Sequence, residues 1–337
     1  MKRSGKLIEL IAEPDNLRLA FVKARRGKTA SREVVEMTRG LDRQLLQLRQ
    51  EIRSGELQLG AYRRFIIREP KRREICAGPF RDNVLHHAMM NVCHPDFERH
   101  QIYDSYACRT GKGTHAAVQR AQRFSRRYAY YLKLDVRNFF ASVHHVVIRK
   151  QLKRLYKDAQ LLHLFNQILS TYYTEPERGL PLGNLTSQYF ANHYLTVIDR
   201  YVKQILRHGG YVRYMDDLVI WADNSTKLKS TFARLTEVLE SELRCSWKPP
   251  VRNRTSQGLS FLGFRIYPHY IRLTSASRQR LATKMKGIDR LLSDGKLMEK
   301  EAQRRMQSLL AHVGRADAKA LRRQLLKKYD ISHGAAP

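Results

Sequence analysis

The chain of 337 residues is 42% hydrophobic, which excludes a disordered tail and favours a globular protein of two or three subdomains. Its 63 Lys and Arg residues exceed its 31 Asp and Glu residues, and the net charge of +32 favours a polyanionic partner. There is no run of about 18 apolar residues, and the first residues lack the apolar core of a signal peptide, which disfavours a membrane or secreted protein. Nucleic acid is therefore the expected partner.

Apolar residues at three- and four-residue spacing predict helices in the N-terminal part of the chain. The predicted helical regions are residues 14–57 and residues 82–100. The first of these belongs to a predicted N-terminal helical extension of residues 1–57. Between these helices, residues 62–78 are typical of two short strands around a basic turn at residues 69–73. This turn is either a solvated loop or a grip for phosphate.

The rest of the chain alternates predicted strands and helices before it ends in a basic helical segment. In chain order these are a strand at 128–136, helices within 145–172, an amphipathic helix at 188–209, a hairpin at 211–222, a helix at about 227–243 and strands within 258–273. Residues 271–333 contain 16 Lys and Arg residues against 6 Asp and Glu residues. This excess favours contact of the C-terminal helices with phosphates.

Three acidic residues stand out against the basic composition. Asp216 and Asp217 lie between short runs of β-formers in YVRYMDDLVIWADN, and Asp135 ends the alternating apolar run YYLKLD. Simple alternatives are a hairpin turn for the pair, although the preferred Gly or Asn is missing, and a helix N-cap for Asp135. Together the three carboxylates offer oxygen ligands that suit Mg²⁺, and two such ions about 3.5–4 Å apart support in-line phosphoryl transfer.

The segments RYMDD and LKLDVRNFF resemble catalytic motifs of reverse transcriptases, and further blocks follow in that family's order across roughly residues 60–270. They are FIIREPKRREICAGPFRDNVLHHA, SYACRTGKGTHAAV, GLPLGNLTSQYFANHYLTVID and GLSFLGFRI. The resemblance implies an α+β right-hand polymerase fold. Its expected parts, after the N-terminal extension, are fingers at 58–127, a palm with an antiparallel sheet at 128–270, which includes part of the fingers, and a helical basic thumb at 271–337.

One block narrows the resemblance. Where group II intron and retron enzymes carry a QG…SP form, residues 179–188 of this chain are GLPLGNLTSQ, which is similar to the reverse transcriptases of diversity-generating retroelements. That subgroup copies a template-repeat RNA with frequent errors at adenine, and the product replaces a variable repeat in a target gene. The alternatives are a retron-like or group II intron-like reverse transcriptase and, in another class, a non-catalytic RNA-binding protein of the same fold.

The resemblance also implies cofactors and partners. The active site is expected to bind two Mg²⁺ ions, for which Mn²⁺ is a substitute. The expected partners are template RNA, dNTPs, the cDNA and its RNA–DNA hybrid, and a small basic accessory protein that is oligomeric. A cytoplasmic, bacterial or phage-encoded protein without a membrane partner is expected.

Individual roles follow from the matched motifs. Asp135, Asp216 and Asp217 are the expected catalytic and metal-binding residues, with Asp217 the least direct ligand. The expected nucleotide-binding residues are Lys71, Arg73, Arg109, Lys112, Phe140, Gln188 and Lys248. The resemblance places Arg73, Leu182 and Gly183 at the template and fidelity positions and Tyr214 and Met215 at the primer end.

Each of these roles has a simpler alternative. Phe140 falls where a bulky side chain excludes a 2′-hydroxyl, but core packing would also explain it. Lys71, Arg73, Arg109 and Lys112 would neutralise the triphosphate, although each alone is as well explained as a solvated surface cation. Lys248 is the candidate for protonating pyrophosphate. Gln188 and the Gly183 turn would touch the template or the incoming base, and a plain helix N-terminus is their alternative.

Overall fold

The computed structural model describes residues 3–68, 72–314 and 316–328, in which an antiparallel sheet lies between two groups of packed side chains. Its N-terminal elements are α1 (Ile8–Ile11), α2 (Pro14–Ala24), α3 (Arg32–Arg39), α4 (Leu41–Ser54), β1 (Arg63–Ile67), β2 (Arg73–Ala77), α5 (Phe80–His100) and α6 (Thr114–Arg127). The helical segment predicted at 14–57 is therefore divided into three helices. Gly27, with a φ of 74°, lies in the first break, and Gly40 occupies the second.

The middle of the chain supplies the main sheet and the helices around it. In order these are β3 (Tyr130–Asp135), α7 (Phe139–Ser142), α8 (His145–Leu155), α9 (Ala159–Ser170), α10 (Leu185–Tyr194), α11 (Thr196–Arg200), a π-helical turn (Tyr201–Ile205), β4 (Gly210–Tyr214), β5 (Asp217–Ala222) and α12 (Ser225–Leu243). The helix predicted at 188–209 begins earlier than expected. It is also divided at Leu195, which is a cap between α10 and α11.

The C-terminal part begins with short strands and continues as helices. Its elements are β6 (Val251–Arg254), a 3₁₀ turn (Thr255–Gln257), β7 (Leu259–Phe261), β8 (Phe264–Ile266), β9 (Ile271–Leu273), α13 (Ser275–Ser293), α14 (Glu299–Val313) and α15 (Lys319–Lys328). Across the described ranges, none of the helices combines the length and the apolar character that crossing a membrane requires.

The strands form three separate antiparallel sheets. The main sheet has the order β4-β5-β3-β6, β1 pairs with β2, and β7, β8 and β9 form a three-stranded sheet. In the main sheet, β3 lies between β5 and β6, so strands distant in sequence become neighbours. This order brings the end of β3 beside the start of β5.

Alternation of side chains along β3 and β5 builds one core on each face of the main sheet. Leu132 and Ile220 join a large core with the helices α2, α5, α8, α9, α10 and α12. Tyr131, Val219 and Trp221 point the other way, into a second core with α6 and the sheet of β7 to β9. Both faces of β5 are thus covered, and all of its residues after Asp217 are buried.

The N-terminal helices are anchored on α5 rather than on the main sheet. Phe21 of α2 meets Phe80 of α5 edge to face at 5.9 Å. Asn16 Nδ2 donates to the Ala88 carbonyl at 3.1 Å, and Lys23 Nζ donates to Asn91 Oδ1 at 2.6 Å. Apolar contact and polar contact together fix this extension to the body of the protein.

Candidate active site

Antiparallel pairing places two of the three acidic residues directly opposite each other. In the β3–β5 register Asp135 lies opposite Asp217, two positions along from the pair of Lys133 and Val219. Because side chains alternate along a strand, Asp135, Asp217 and Lys133 share one face of the sheet. That face changes from apolar at Trp221 to charged at the strand ends, where the candidate site begins.

Asp216 is held in a two-residue turn between β4 and β5. Tyr214 pairs with Asp217, so Met215 and Asp216 form the tip of the hairpin. Met215 has a φ of 55°, an unusual backbone conformation for a non-glycine residue that costs about 1–3 kcal/mol when the surroundings impose it. The hairpin-turn explanation is therefore right about geometry, while the strain indicates that the turn also serves another purpose.

A buried guanidinium holds this turn from behind. Arg213 is fully buried and donates to both oxygens of Asp199, at 2.6 and 2.7 Å. It also donates to Asn192 Oδ1 at 2.7 Å, to Gln101 Oε1 at 3.0 Å and to the carbonyl of Met215 at 3.1 Å. Since that carbonyl belongs to the strained turn residue, Arg213 positions the hairpin tip.

Sequence reasoning missed both Arg213 and Lys133. Their signal was a single charge inside a run of β-formers, VRY in β4 and LKL in β3. Lys133 Nζ lies 3.2 Å from Asp217 Oδ2 and donates to the Ser260 carbonyl of β7 at 3.1 Å. It therefore links an acidic residue of the site to the three-stranded sheet.

Two lysines face two of the three carboxylates. Lys248 Nζ donates to Asp135 Oδ1 at 2.6 Å, and the Lys248 amide donates to the Asp135 carbonyl at 2.8 Å. Burial, reinforced by the nearby charge of Asp135, raises the pKa of Asp216. Burial also raises the pKa of Asp217 to about 7, against the opposing effect of Lys133. Burial therefore outweighs the nearby cations in setting the pKa of both carboxyl groups.

Mg²⁺ prefers oxygen ligands and usually takes one or two carboxylates from a protein. In the described part of the chain, His, Cys, Asp and Glu form no group of three or more placed to hold a metal ion. Asp217 is paired with Lys133, and its Oδ1 is buried without a hydrogen-bond donor. Asp135 and Asp216 remain as candidate ligands, and Asp135 lies close enough for its charge to raise the pKa of Asp216. Two carboxylates fit the number that Mg²⁺ usually takes from proteins.

The segment from Leu180 to Gly183 joins the site to the β1–β2 hairpin. The Cys76 amide of β2 donates to the Leu182 carbonyl at 2.7 Å. Gly183 has a φ of 125°, and a Cβ there would lie only 3.0 Å from the Cys76 carbonyl oxygen. Glycine is required at this position because the turn approaches the strand so closely.

Arg73 begins the strand against which this turn packs. It is exposed, and its charge opposes the rise in the pKa of Asp216, so it lies on the side of the carboxylates. Lys71, the other predicted triphosphate ligand of this hairpin, lies outside the described residues. The structure therefore brings Arg73 and the Leu182 turn together on neighbouring pieces of backbone.

Phe140 is half-buried, with its ring 5.9 Å from that of Phe139 at a steep angle. Its carbonyl accepts from the Leu180 amide at 2.7 Å, which fixes α7 to the turn segment. Part of the ring packs on the larger core and part stays accessible. This placement accommodates both the sugar-contact role and the packing role that the sequence left open.

Arg109 is placed differently from the sequence-based expectation. Its side chain is only 9% exposed, pairs with Glu98 at 2.7 Å and donates to the carbonyls of Ile102 and Ser105. These contacts hold the loop after α5 and engage much of the guanidinium. The role of Arg109 as a triphosphate ligand stays a prediction, and it would require the side chain to leave these contacts.

Lys112 is also engaged within its own loop. Its Nζ donates to the Tyr103 carbonyl at 2.9 Å and lies 3.6 Å from the centre of the Tyr103 ring. Burial lowers the pKa of Lys112. It is therefore a weaker candidate for the triphosphate than Arg73, because binding phosphate would require it to leave both contacts.

The remaining predicted residues surround the hairpin. Gln188, in the first turn of α10, accepts from Cys108 Sγ at 3.3 Å and is partly exposed. The Tyr214 hydroxyl accepts from Thr114 Oγ1 at 3.3 Å, and Met215 packs on the larger core. Gln188 is thus accessible, whereas Tyr214 and Met215 are half-buried supports of the turn.

The sequence is similar to those of known reverse transcriptases and related proteins. A family model described as reverse transcriptase (RNA-dependent DNA polymerase) matches residues 70–266. The chain is 24% identical to protein YkfC of Escherichia coli K12 over 271 residues, which are 74% of this chain and 68% of that protein. It is 22% identical to a Saccharomyces cerevisiae protein named for intron 1 of COX1/OXI3 over 215 residues, 60% of this chain and 26% of that protein. The matched part is thus about a quarter of the yeast protein.

Solved structures agree on the fold. The telomerase of Candida albicans, in complex with a TWJ fragment of telomeric RNA, aligns with a TM-score of 0.51 at 12% identity, over 83% of this chain and 60% of that chain. Apo telomerase of Candida tropicalis aligns with a TM-score of 0.52 at 10% identity, over 80% and 59%. The expected α+β right-hand polymerase fold is confirmed.

Proposed function

Because this chain belongs to the reverse transcriptase (RNA-dependent DNA polymerase) family, with residues 70–266 matched, we propose that it copies RNA into error-prone cDNA for a diversity-generating retroelement. The observation that carries this assignment is the GLPLGNLTSQ block, whose Leu182–Gly183 turn packs against β2. Its template is then a template-repeat RNA. We assign fingers to residues 58–127, a palm to 128–270 and a thumb to 271–337.

The reaction is a two-metal phosphoryl transfer in which Asp135 and Asp216 would hold two Mg²⁺ ions. Such ions, when bound, activate the attacking 3′-hydroxyl and neutralise charge on the leaving pyrophosphate, and Mn²⁺ takes the same oxygen ligands. Asp217 is held by Lys133 and serves to keep the hairpin in register with β3. Arg213 keeps the turn residue Met215 in its strained conformation.

The incoming dNTP would meet side chains from three elements. Arg73 would neutralise its phosphates, and the accessible part of Phe140 would contact the sugar and exclude a 2′-hydroxyl. Lys248 Nζ, 43% exposed and 2.6 Å from Asp135, carries a proton where pyrophosphate would leave. Gln188 and the Leu182 turn would contact the template and the new base pair.

A second candidate is an intron-type reverse transcriptase. The similarity to the yeast protein named for an intron of COX1/OXI3 favours it, although that match covers 26% of the yeast protein. The two candidates differ in the fidelity of the product and in partners. Only the retroelement enzyme is expected to work with a small basic accessory protein.

The test is to sequence cDNA made by the protein from a defined RNA that contains all four bases in balanced number. Errors concentrated at template adenines support the retroelement assignment, and errors spread evenly over the four bases favour the intron-type enzyme. An Asp216→Ala protein provides the background. Absence of cDNA from the parent protein with Mg²⁺ or Mn²⁺ would refute the polymerase activity itself.

A further inference from the structure

Helix α8 carries positive charge on the solvent side of its C-terminal half. Its opposite side packs Ile148, Leu152 and Leu155 into the larger core. The exposed basic residues are Lys150, Lys153 and Arg154, whose spacing places them on one helical face. Lys157 is also exposed and follows just past the helix, after the extended backbone of Tyr156.

The N-terminal segment extends this face. The Ser4 amide donates to the Leu155 carbonyl at 3.0 Å, and the Lys157 amide donates to the Ser4 carbonyl at 2.8 Å. Ser4 itself turns inward and donates to Asp96 at 2.9 Å, which leaves Arg3 and Lys6 exposed beside the end of α8. We call the six residues the α8 basic face: Arg3, Lys6, Lys150, Lys153, Arg154 and Lys157.

Nearby acidic residues do not neutralise this face. Asp158 accepts from the amides of Leu7 and Leu161, and Asp96 accepts from Ser4 and Arg99. Within the described ranges, no carboxylate forms an ion pair with any of the six cations. Six uncompensated charges in one place create a positive potential that attracts a polyanion.

The face is separate from the candidate active site. Helix α8 packs against α9 and α10, and α10 begins with the block that contains Gln188. The basic side of α8 is therefore directed away from α10. Lys150, Lys153 and Arg154 span about 6 Å of helix axis and Lys157 lies just beyond the helix, a length comparable to two or three phosphates of one nucleic-acid strand at roughly 3.4 Å each.

We propose that the α8 basic face binds phosphates of a folded segment of the template RNA that lies outside the catalytic cleft. The partner follows from the proposed function, because an enzyme that copies RNA must hold a chain much longer than the cleft. The face would then select long structured RNA over a short primer–template. Contacts of this kind position the RNA without reading its sequence.

The test compares two triple variants of equal charge change. The α8 variant neutralises three cations of the face: Lys150→Gln, Lys153→Gln and Arg154→Gln. Lys157 is left unchanged because the aliphatic part of its side chain packs against Gly5. The control is Lys227→Gln, Lys229→Gln and Arg234→Gln on exposed positions of α12. The binding constant is measured as a function of salt concentration for two probes, each annealed to the same DNA primer. One is a long RNA with several hairpins, and the other is a short unstructured RNA.

We expect the α8 variant to lose about 2 to 3 from the log–log salt slope for the long RNA, since each phosphate contact contributes roughly 0.7 to 0.9. For the short hybrid, the salt slope and the rate of DNA synthesis of the α8 variant should equal those of the parent protein. The α12 control should equal the parent in both salt slopes and in the rate. Unchanged melting temperatures show that both variants fold.

Three results would overturn the proposal. The first two are an unchanged slope for the long RNA and an equal loss for both probes. The third comes from a parallel assay with phosphatidylserine vesicles: a loss of vesicle binding without a loss of RNA binding would indicate a membrane contact. Failure of the parent protein to synthesise DNA would count against the proposed function instead, because the binding slopes do not depend on catalysis.

Discussion

Asp216 and Asp217 are adjacent in the chain but differ in their surroundings. Asp216 lies at the hairpin tip, where burial and Asp135 raise its pKa. Asp217 lies in β5, paired with Lys133 and with one oxygen buried without a donor. We propose that the first takes a metal ion, whereas the second pairs with β3 and holds the hairpin against that strand.

Replacement of Asp216 and Asp217 by Ala together should abolish DNA synthesis while RNA binding persists, because the basic surface remains. Asp217→Asn alone should lower the rate by about 10–100-fold, as expected for a residue that orients a metal ligand. Single-nucleotide incorporation rates and RNA affinity are the measurements. The control is Asp223→Asn, an exposed acid beyond the other end of β5. Synthesis near the parent rate in the double variant would refute the catalytic assignment.

Arg213 connects the stability of the protein to the geometry of its catalytic turn. Arg213→Met leaves Asp199 charged and buried, and breaking a buried pair in this way costs about 3–5 kcal/mol. Adding Asp199→Leu removes the unpaired charge and should recover most of that free energy of unfolding. The catalytic rate should remain low, since the Met215 carbonyl still lacks its donor.

The measurements are chemical denaturation and the separate values of kcat and KM for a dNTP. A depressed kcat with KM near the parent value in the double variant supports a positioning role. Recovery of kcat together with stability would mean that Arg213 only stabilises the fold.

At the scale of elements, the sequence predicted the type of most segments better than their limits. The β3 strand and the β4–β5 hairpin were predictable because alternation and β-formers agree there. The division of the helix predicted at 188–209 was not, since helix periodicity continues across Leu195. The contacts of Arg109 with Glu98 of α5 and with the carbonyls of Ile102 and Ser105 depend on how the loop after α5 folds, which periodicity does not encode.

We propose that fidelity depends on the contact between β2 and the Leu182–Gly183 turn. In this proposal a side chain in this turn or at Arg73 changes how tightly a base pair is held without changing the chemistry. We predict that Leu182→Asn or Arg73→Ala changes misincorporation opposite template adenine severalfold, and opposite C, G or U by less. Packing differences of one methylene are worth about 1–3 kcal/mol, which is enough for such an effect.

Incorporation of correct and incorrect dNTPs at each template base is the measurement for these variants. The matched control is Arg72→Ala, which removes the neighbouring exposed cation. If all four template bases shift equally, these residues hold only the triphosphate and the fidelity hypothesis is wrong.

At the scale of the whole molecule, five histidines of the described residues are buried, namely His86, His144, His145, His193 and His208, and burial lowers the pKa of each. Burial lowers the pKa of His86 to about 4, of His193 to about 3 and of His208 to about 4. His208 bonds Thr231 at 2.7 Å, and its ring is neutral in the folded protein at neutral pH. An unfolded chain would protonate each histidine near pH 6.5.

Between pH 6.5 and about 4 the unfolded state therefore binds more protons than the folded state, so acidification destabilises the fold. The contribution of the neutral buried histidines to the free energy of unfolding is complete above pH 6.5. It is lost as the pH falls toward the pKa that these histidines have in the folded protein. We predict that the free energy of unfolding decreases from pH 7.5 to pH 5, and that His208→Gln reduces this decrease by about 2 kcal/mol.

Denaturant unfolding at the two pH values, without divalent cations, is the measurement. His163→Gln, at an exposed position of α9, should leave the decrease unchanged. An equal decrease in His208→Gln and in the parent would show that this histidine is not the source of the pH dependence.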